Sequence, residues 1–107
     1  MNDITSTEVI HIDELKSIIS KNKEDFLILY ITADWCSVCK RVFPHILDYL
    51  REKNTINLVA DYEVAKTIVH KFRIRAIPTL IRFYDGEIDS ICMSGSLQEI
   101  NKFFNEF

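Results

Sequence analysis

Glycine and proline are scarce here, with two of each in 107 residues. That leaves little room for long irregular loops and favours regular helices and strands. Positive charge is also short. Thirteen Lys and Arg face sixteen Asp and Glu, for a net charge of -3. A nucleic acid or an anionic membrane needs a basic face, so neither is an expected partner. No stretch nears the roughly 18 apolar residues of a spanning helix. The opening MNDITSTEVIHIDELK has early acidic residues and no continuous apolar run, so it does not read as a secretory signal. A cytoplasmic location is the resulting expectation. Cysteine is limited to Cys36, Cys39 and Cys92, an odd number that argues against a structural disulfide framework.

What is present suits one packed domain over residues 1–107, with 48% hydrophobic and 11% aromatic residues. VIHI (Val9 to Ile12) has the pattern of a short strand, and Asp13 of a cap for a helix through Lys21. FLILYIT (Phe26 to Thr32) reads as a strand buried on both faces. A helical pattern follows Trp35 to about Arg51, with Pro44 inside it as an expected kink. NLVAD (Asn57 to Asp61) is a further strand. Glu63 to Phe72 reads as a short helix that aligns Val64, Ile68 and Phe72. TLIRFY, Asp85-Gly86 and EIDSICM form a β-hairpin, since Asp-Gly favours the tight turn. Ser96 to Glu99 is a capping box for a last helix turning Leu97, Ile100, Phe103 and Phe104 inward. The order β-α-β-α-β-α-β-β-α predicts an α/β fold. Its sheet is mixed and five-stranded, with helices on both faces.

WCSVCK, residues 35 to 40, carries the chemistry. A CxxC pair can be half of a metal site, a redox couple, or two inert thiols. Structural zinc takes four ligands. Cys92, His11, His45 and His70 supply no second pair at short spacing, so no metal is expected. Two inert thiols fit poorly with a pair placed after a strand and at a helix start. The redox reading has a mechanism. A cysteine at a helix start meets free N–H groups and the positive dipole end, which favour thiolate. Such thiols fall from about 8.5 to roughly 3.5–7.5 in pKa. Cys36 is then the nucleophile. Cys39, one turn on, attacks the mixed disulfide and resolves it.

At ADWCSVCK, Pro44, RIRAIPTL, Asp85-Gly86 and Gly95, the chain from about Val9 to Phe107 resembles the thioredoxin family. The resemblance implies the thioredoxin fold and reduction of protein disulfides by a Cys36/Cys39 dithiol. It implies a cis Ile77–Pro78 bond, whose loop holds substrate beside the sulfurs and blocks metal capture. Trp35, Val38, Ile77, Pro78 and Gly95 would form the substrate-binding patch. The implied partners are disulfide-containing proteins and a thioredoxin reductase or its equivalent, which draws on NADPH. No bound cofactor is implied beyond the Cys36–Cys39 disulfide itself, and a monomer is the family expectation.

The sequence departs from the family pattern at three places. Ser37-Val38 replaces Gly-Pro between the cysteines, so the Ser37 hydroxyl could donate to sulfur and a less reducing couple is expected. Tyr30 stands where the family has a buried aspartate, and Val59 where that acid has its charged partner. Cys39 then lacks its base, unless Tyr30, water or Asp61 takes part, or Tyr30 only packs. Thr32 replaces a tryptophan. Lys40 and Arg41 add positive charge near Cys36, which Asp34 opposes. Cys92 reads as a buried structural thiol, and His45 and His70 as surface residues. A binding or adaptor module with weak turnover is the alternative. A glutathione-dependent enzyme is disfavoured by Ile77-Pro78-Thr79 and by the lack of a Gly-Gly pair. A protein-oxidising relative would need an export signal.

Overall fold

A computed structural model describes residues 6–107. The first five residues, part of the N-terminal segment read above, lie outside the described residues. The elements are β1 (Ser6–Glu8), α1 (Ile12–Lys21), β2 (Phe26–Thr32), α2 (Ser37–Glu52), β3 (Thr55–Asp61), α3 (Lys66–Lys71), β4 (Thr79–Tyr84), β5 (Glu87–Cys92) and α4 (Leu97–Asn105). This is the expected order. The sheet runs β1-β3-β2-β4-β5, with β1, β3 and β2 parallel and β4 and β5 antiparallel.

β2 is the middle strand, and its side chains alternate between two cores. Leu27, Leu29 and Ile31 join Leu58, Ala60, Ile81 and Phe83 beneath Leu15 of α1 and Ile68 of α3. Ile28 and Tyr30 join Leu80 beneath Val42 and Ile46 of α2 and Phe103 and Phe104 of α4. The period of two residues along a strand produces this division. It is why β2 reads as an unbroken apolar run.

Four local expectations are corrected. The strand lies at Ser6–Glu8 rather than Val9 to Ile12. Val9 N–H still bonds Val59 C=O at 2.9 Å, but His11 then turns the chain. His11, not Asp13, caps α1, because its Nδ1 accepts the Asp13 N–H at 3.1 Å. Val64 lies outside the helix, since Asp61 Oδ1 accepts the Glu63 and Val64 N–H groups and delays α3 until Lys66. Val64 and Leu97 are exposed, while Ile68, Ile100, Phe103 and Phe104 are buried. Leu97 is the first residue of α4 and is exposed there, although helical spacing sets it in line with Phe104. Ser96 caps α4 by accepting the Glu99 N–H at 3.4 Å.

Arg82, a charged residue in the middle of β4, is only 4% exposed. Its Nε donates to Asp89 Oδ2 at 2.6 Å, and a guanidinium N–H donates to Phe103 C=O at 2.9 Å. The guanidinium also lies over the Phe107 ring at 4.1 Å. A buried guanidinium is tolerated when its charge and donors are matched in this way.

Asp85 and Gly86 both have positive φ, 53° and 82°. That is the geometry an Asp-Gly hairpin turn supplies. Arg73 also has positive φ, 53°, directly after α3. There Ile74 N–H reaches back to Val69 C=O at 3.0 Å, closing the helix in the manner usually reserved for glycine. A β-carbon in this conformation costs about 1–2 kcal/mol, partly offset by the smaller chain entropy of a non-glycine residue. Arg73→Gly is therefore expected to stabilise the fold by about 0.5–1 kcal/mol. Urea unfolding would show it as a higher midpoint at unchanged slope.

Candidate functional site

The β2 backbone ends at Thr32, and Ala33, Asp34 and Trp35 turn the chain into α2. Cys36 caps that helix with an extended backbone, φ -84° and ψ 101°. Its Sγ accepts the Cys39 N–H at 3.1 Å. Cys36 and Cys39 are joined as a disulfide, with Cα atoms 5.2 Å apart. One helical turn therefore brings the sulfurs together at the helix start, where unpaired N–H groups and the dipole favour negative charge.

Both cysteines are buried, and with Ala33 they form a small cluster packed by Val38, Tyr62 and Ile77. The Ile77–Pro78 peptide is cis. The Thr79 hydroxyl ties this loop by donating to Ala76 C=O at 2.7 Å. Gly95 approaches from the other side. A β-carbon there would overlap Val38 Cγ1 and sit 3.4 Å from Pro78 Cδ. Glycine is thus what lets the loop before α4 close on Val38 and Pro78. Trp35 lies outside this packing and is 63% exposed. Its Nε1 donates to Glu63 Oε1 at 3.2 Å, and its ring meets Tyr62 edge-on at 6.5 Å. The sequence reading passed over Ala33, Tyr62 and Glu63. Only the parallel pairing of β2 with β3, which sets Thr32 opposite Asp61, brings residues 62 and 63 to the motif.

The structure also places the departures from the family pattern. Tyr30 pairs in register with Val59. Tyr30 is buried, and its hydroxyl donates to Cys39 C=O at 3.2 Å. Burial pushes the Tyr30 phenol above its ordinary pKa, against the lowering effect of a Thr32 hydrogen bond. A neutral phenol that already gives its proton to a carbonyl is no base for a thiol near neutral pH. Asp61 is occupied with the N–H groups of residues 63 and 64. Tyr30 and Val59 line a largely apolar cavity of about 290 Å³ that reaches Cys39, Phe43 and Leu50. Exposed Asp34 and Lys40 also line it. Among the described residues, Ser37 makes no hydrogen bond to sulfur; the Cys39 N–H makes it instead.

Away from the motif, His45 and His70 are exposed. Cys92 is a buried free thiol, with its pKa raised first by burial and then by the Glu99 charge. Among the described residues no three His, Cys, Asp or Glu gather as a potential metal site, and no helix is long and apolar enough to cross a membrane.

Three substitutions test this packing. Gly95→Ala is expected to destabilise the fold by about 1–3 kcal/mol through overpacking. Adding Val38→Ala should recover much of that loss, a coupling that a double-mutant cycle of urea unfolding would measure. Tyr30→Phe is expected to cost about 1 kcal/mol for the lost hydrogen bond. It should not slow attack by Cys39. Mixed disulfide building up in this variant during turnover would show instead that the phenol serves as a base.

Comparison with known proteins agrees with the geometry. The Thioredoxin family model matches residues 6–106. The chain is 34% identical over 76 residues to a thioredoxin of Mycoplasmoides gallisepticum, covering 70% of this chain and 74% of that one. It is 25% identical over 89 residues to thioredoxin H3 of Arabidopsis thaliana, covering 82% and 74% of the two chains. Among solved structures, the reduced Schistosoma mansoni thioredoxin pre-protein superposes with a TM-score of 0.84 at 21% identity, over 97% of this chain and 99% of that chain. Oxidised mitochondrial thioredoxin 3 of Saccharomyces cerevisiae gives 0.82 at 20% identity, over 94% of both. With a cysteine pair closed at the head of α2 and a family match from β1 to the end of α4, this chain belongs to the thioredoxin family of thiol–disulfide oxidoreductases.

Proposed function

We propose that the whole chain works as one protein-disulfide reductase unit, with Cys36 as nucleophile and Cys39 as resolving cysteine. The observation that carries this reading is the Cys39 N–H held 3.1 Å from Cys36 Sγ at the head of α2. The same donor stabilises a Cys36 thiolate once the pair is reduced. The thiolate attacks one sulfur of a substrate disulfide. A mixed disulfide forms, and the first substrate thiolate leaves and takes a proton from solvent. Cys39, deprotonated, then attacks Cys36 Sγ. The second substrate thiolate departs, and the Cys36–Cys39 disulfide holds the two-electron oxidation.

In this reading Trp35, Val38, Ile77, Pro78 and Gly95 receive the substrate. Trp35 offers exposed apolar area next to the nucleophile, and Ile77 carries the loop backbone that an extended substrate strand would meet. Lys40 helps hold negative charge near the helix start. Tyr30 offers no base in the cavity behind Cys39, so the proton of Cys39 passes to solvent or to the exposed Asp34 carboxylate that lines the cavity. The electrons come from a thioredoxin reductase or its equivalent, hence from NADPH. A cytoplasmic location belongs to this reading, because a dithiol used as a reductant needs a reducing pool to restore it, and a monomeric state is carried over from the family.

The deciding experiment measures reduction of a model protein disulfide with a thioredoxin reductase and NADPH. Cys36→Ser is expected to abolish turnover. Cys39→Ser should stop after one attack and accumulate mixed disulfide, visible on a non-reducing gel. Wild-type protein that fails to turn over with either the reductase or dithiothreitol would overturn the reading. The redox equilibrium with glutathione, followed by Trp35 fluorescence, is expected to place the pair above the roughly -270 mV of thioredoxin. The absence of proline between the cysteines is the reason, and a value at or below that figure would refute it.

A further inference from the structure

Charge is distributed unevenly along this acidic chain. From Val64 to Tyr84 there is no Asp or Glu, while Lys66, Lys71, Arg73, Arg75 and Arg82 all fall within that stretch. Arg82 is buried and neutralised by Asp89. The others are exposed. Lys66, Arg73 and Arg75, with His70, border a groove of about 560 Å³ whose apolar lining is Tyr62, Val69 and Ile74. No carboxylate lines it. Among the described residues, the one ion pair made by these side chains is a long one, Lys66 Nζ to Glu63 Oε2 at 3.9 Å on the surface.

The groove is continuous with the disulfide site. Tyr62 lines the groove and also packs on the Cys36–Cys39 cluster, with its ring meeting that of Trp35. Arg75 stands two residues before Ile77, which packs on the same cluster. A chain crossing the Ile77–Pro78 loop to reach Cys36 therefore has the basic groove beside it. Arg73 adds a further pointer. It occupies a left-handed position where glycine would be free of strain, so a cation is kept there against a local cost.

We propose that this groove selects disulfide substrates carrying an acidic segment next to the reactive cystine, with Arg73, Arg75 and Lys66 as the specificity-determining residues. This rests on the reductase reading above. Opposite charge at a surface raises the encounter rate and discriminates among partners more than it adds raw affinity. It acts over a Debye length of about 10 Å at 0.1 M salt, so preference should weaken as salt rises.

The test uses two synthetic peptides, identical except for three Glu or three Gln beside the cysteines, each in a cystine form and a serine-substituted form. Docking of the serine forms is read by Trp35 fluorescence, and reduction of the cystine forms by kcat/KM with dithiothreitol as the electron source. The Glu peptide is expected to bind and react about tenfold better than the Gln peptide at low salt, with the gap closing by about 0.5 M salt. The Lys66→Gln, Arg73→Gln, Arg75→Gln triple variant should lose the gap. Its thermal midpoint and its redox equilibrium with glutathione check that it is folded with an intact cysteine pair. Equal docking of the two serine peptides, or a gap that survives in the triple variant, would overturn the proposal. If the Glu serine peptide docks in the wild type and not in the variant, yet neither cystine peptide is reduced, the groove stands and the reductase reading falls.

Discussion

The burial of β2 on both of its faces is the constraint on which the rest of this molecule depends. Leu27 to Ile31 are all buried, and their alternation feeds one core beneath α1 and α3 and another beneath α2 and α4. A strand in that position cannot slip by one residue without exchanging the contents of the two cores. Its end is therefore fixed in space, and so is the helix that begins five residues later. The geometry of the disulfide is inherited from this register. Cys36 reaches the helix cap because the strand before it has no freedom to move.

The same strand shows what replaces a buried acid. Where the family pattern has an aspartate, Tyr30 fills part of the space, donates to a backbone carbonyl and stacks with Phe43 at 5.8 Å. Val59 opposite it asks for no counter-ion. Exchanging a buried charge pair for apolar bulk often costs no stability. The exchange keeps packing beside Cys39 and leaves position 30 with a hydroxyl in place of a carboxylate. The nucleophile is unaffected, because its stabilising donor belongs to the helix and not to Tyr30.

Strands and helices with strong periodicity were legible in the sequence almost to the residue. β2 and β4 have the expected bounds, as do the Asp85-Gly86 turn and the Ser96 cap. The two misread helix starts share a cause. At His11 and at Asp61 a side chain competes for backbone N–H groups and moves a helix start, and apolar periodicity carries no trace of that. Arg82 reads as an interruption of an apolar strand. Its burial depends on Asp89 across the hairpin and on Phe103 and Phe107 from the last helix and the residues after it. In the candidate site the cysteine pair was legible because its spacing is local. Tyr62 and Glu63 were not, because strand pairing rather than sequence proximity brings them to Trp35.

The hydrogen bond from Cys39 N–H to Cys36 Sγ also bears on how this chain tolerates mutation. A donor carried by the main chain is supplied by every residue type except proline. Side chains at 30, 37, 38 and 59 can therefore change without removing it, provided the helix start survives. Apart from Thr32, the departures from the family pattern fall at these positions. Activation of the nucleophile is stored in the fold rather than in any one neighbouring side chain, so sequence drift around the cysteines can alter partners and redox balance before it reaches the attack itself.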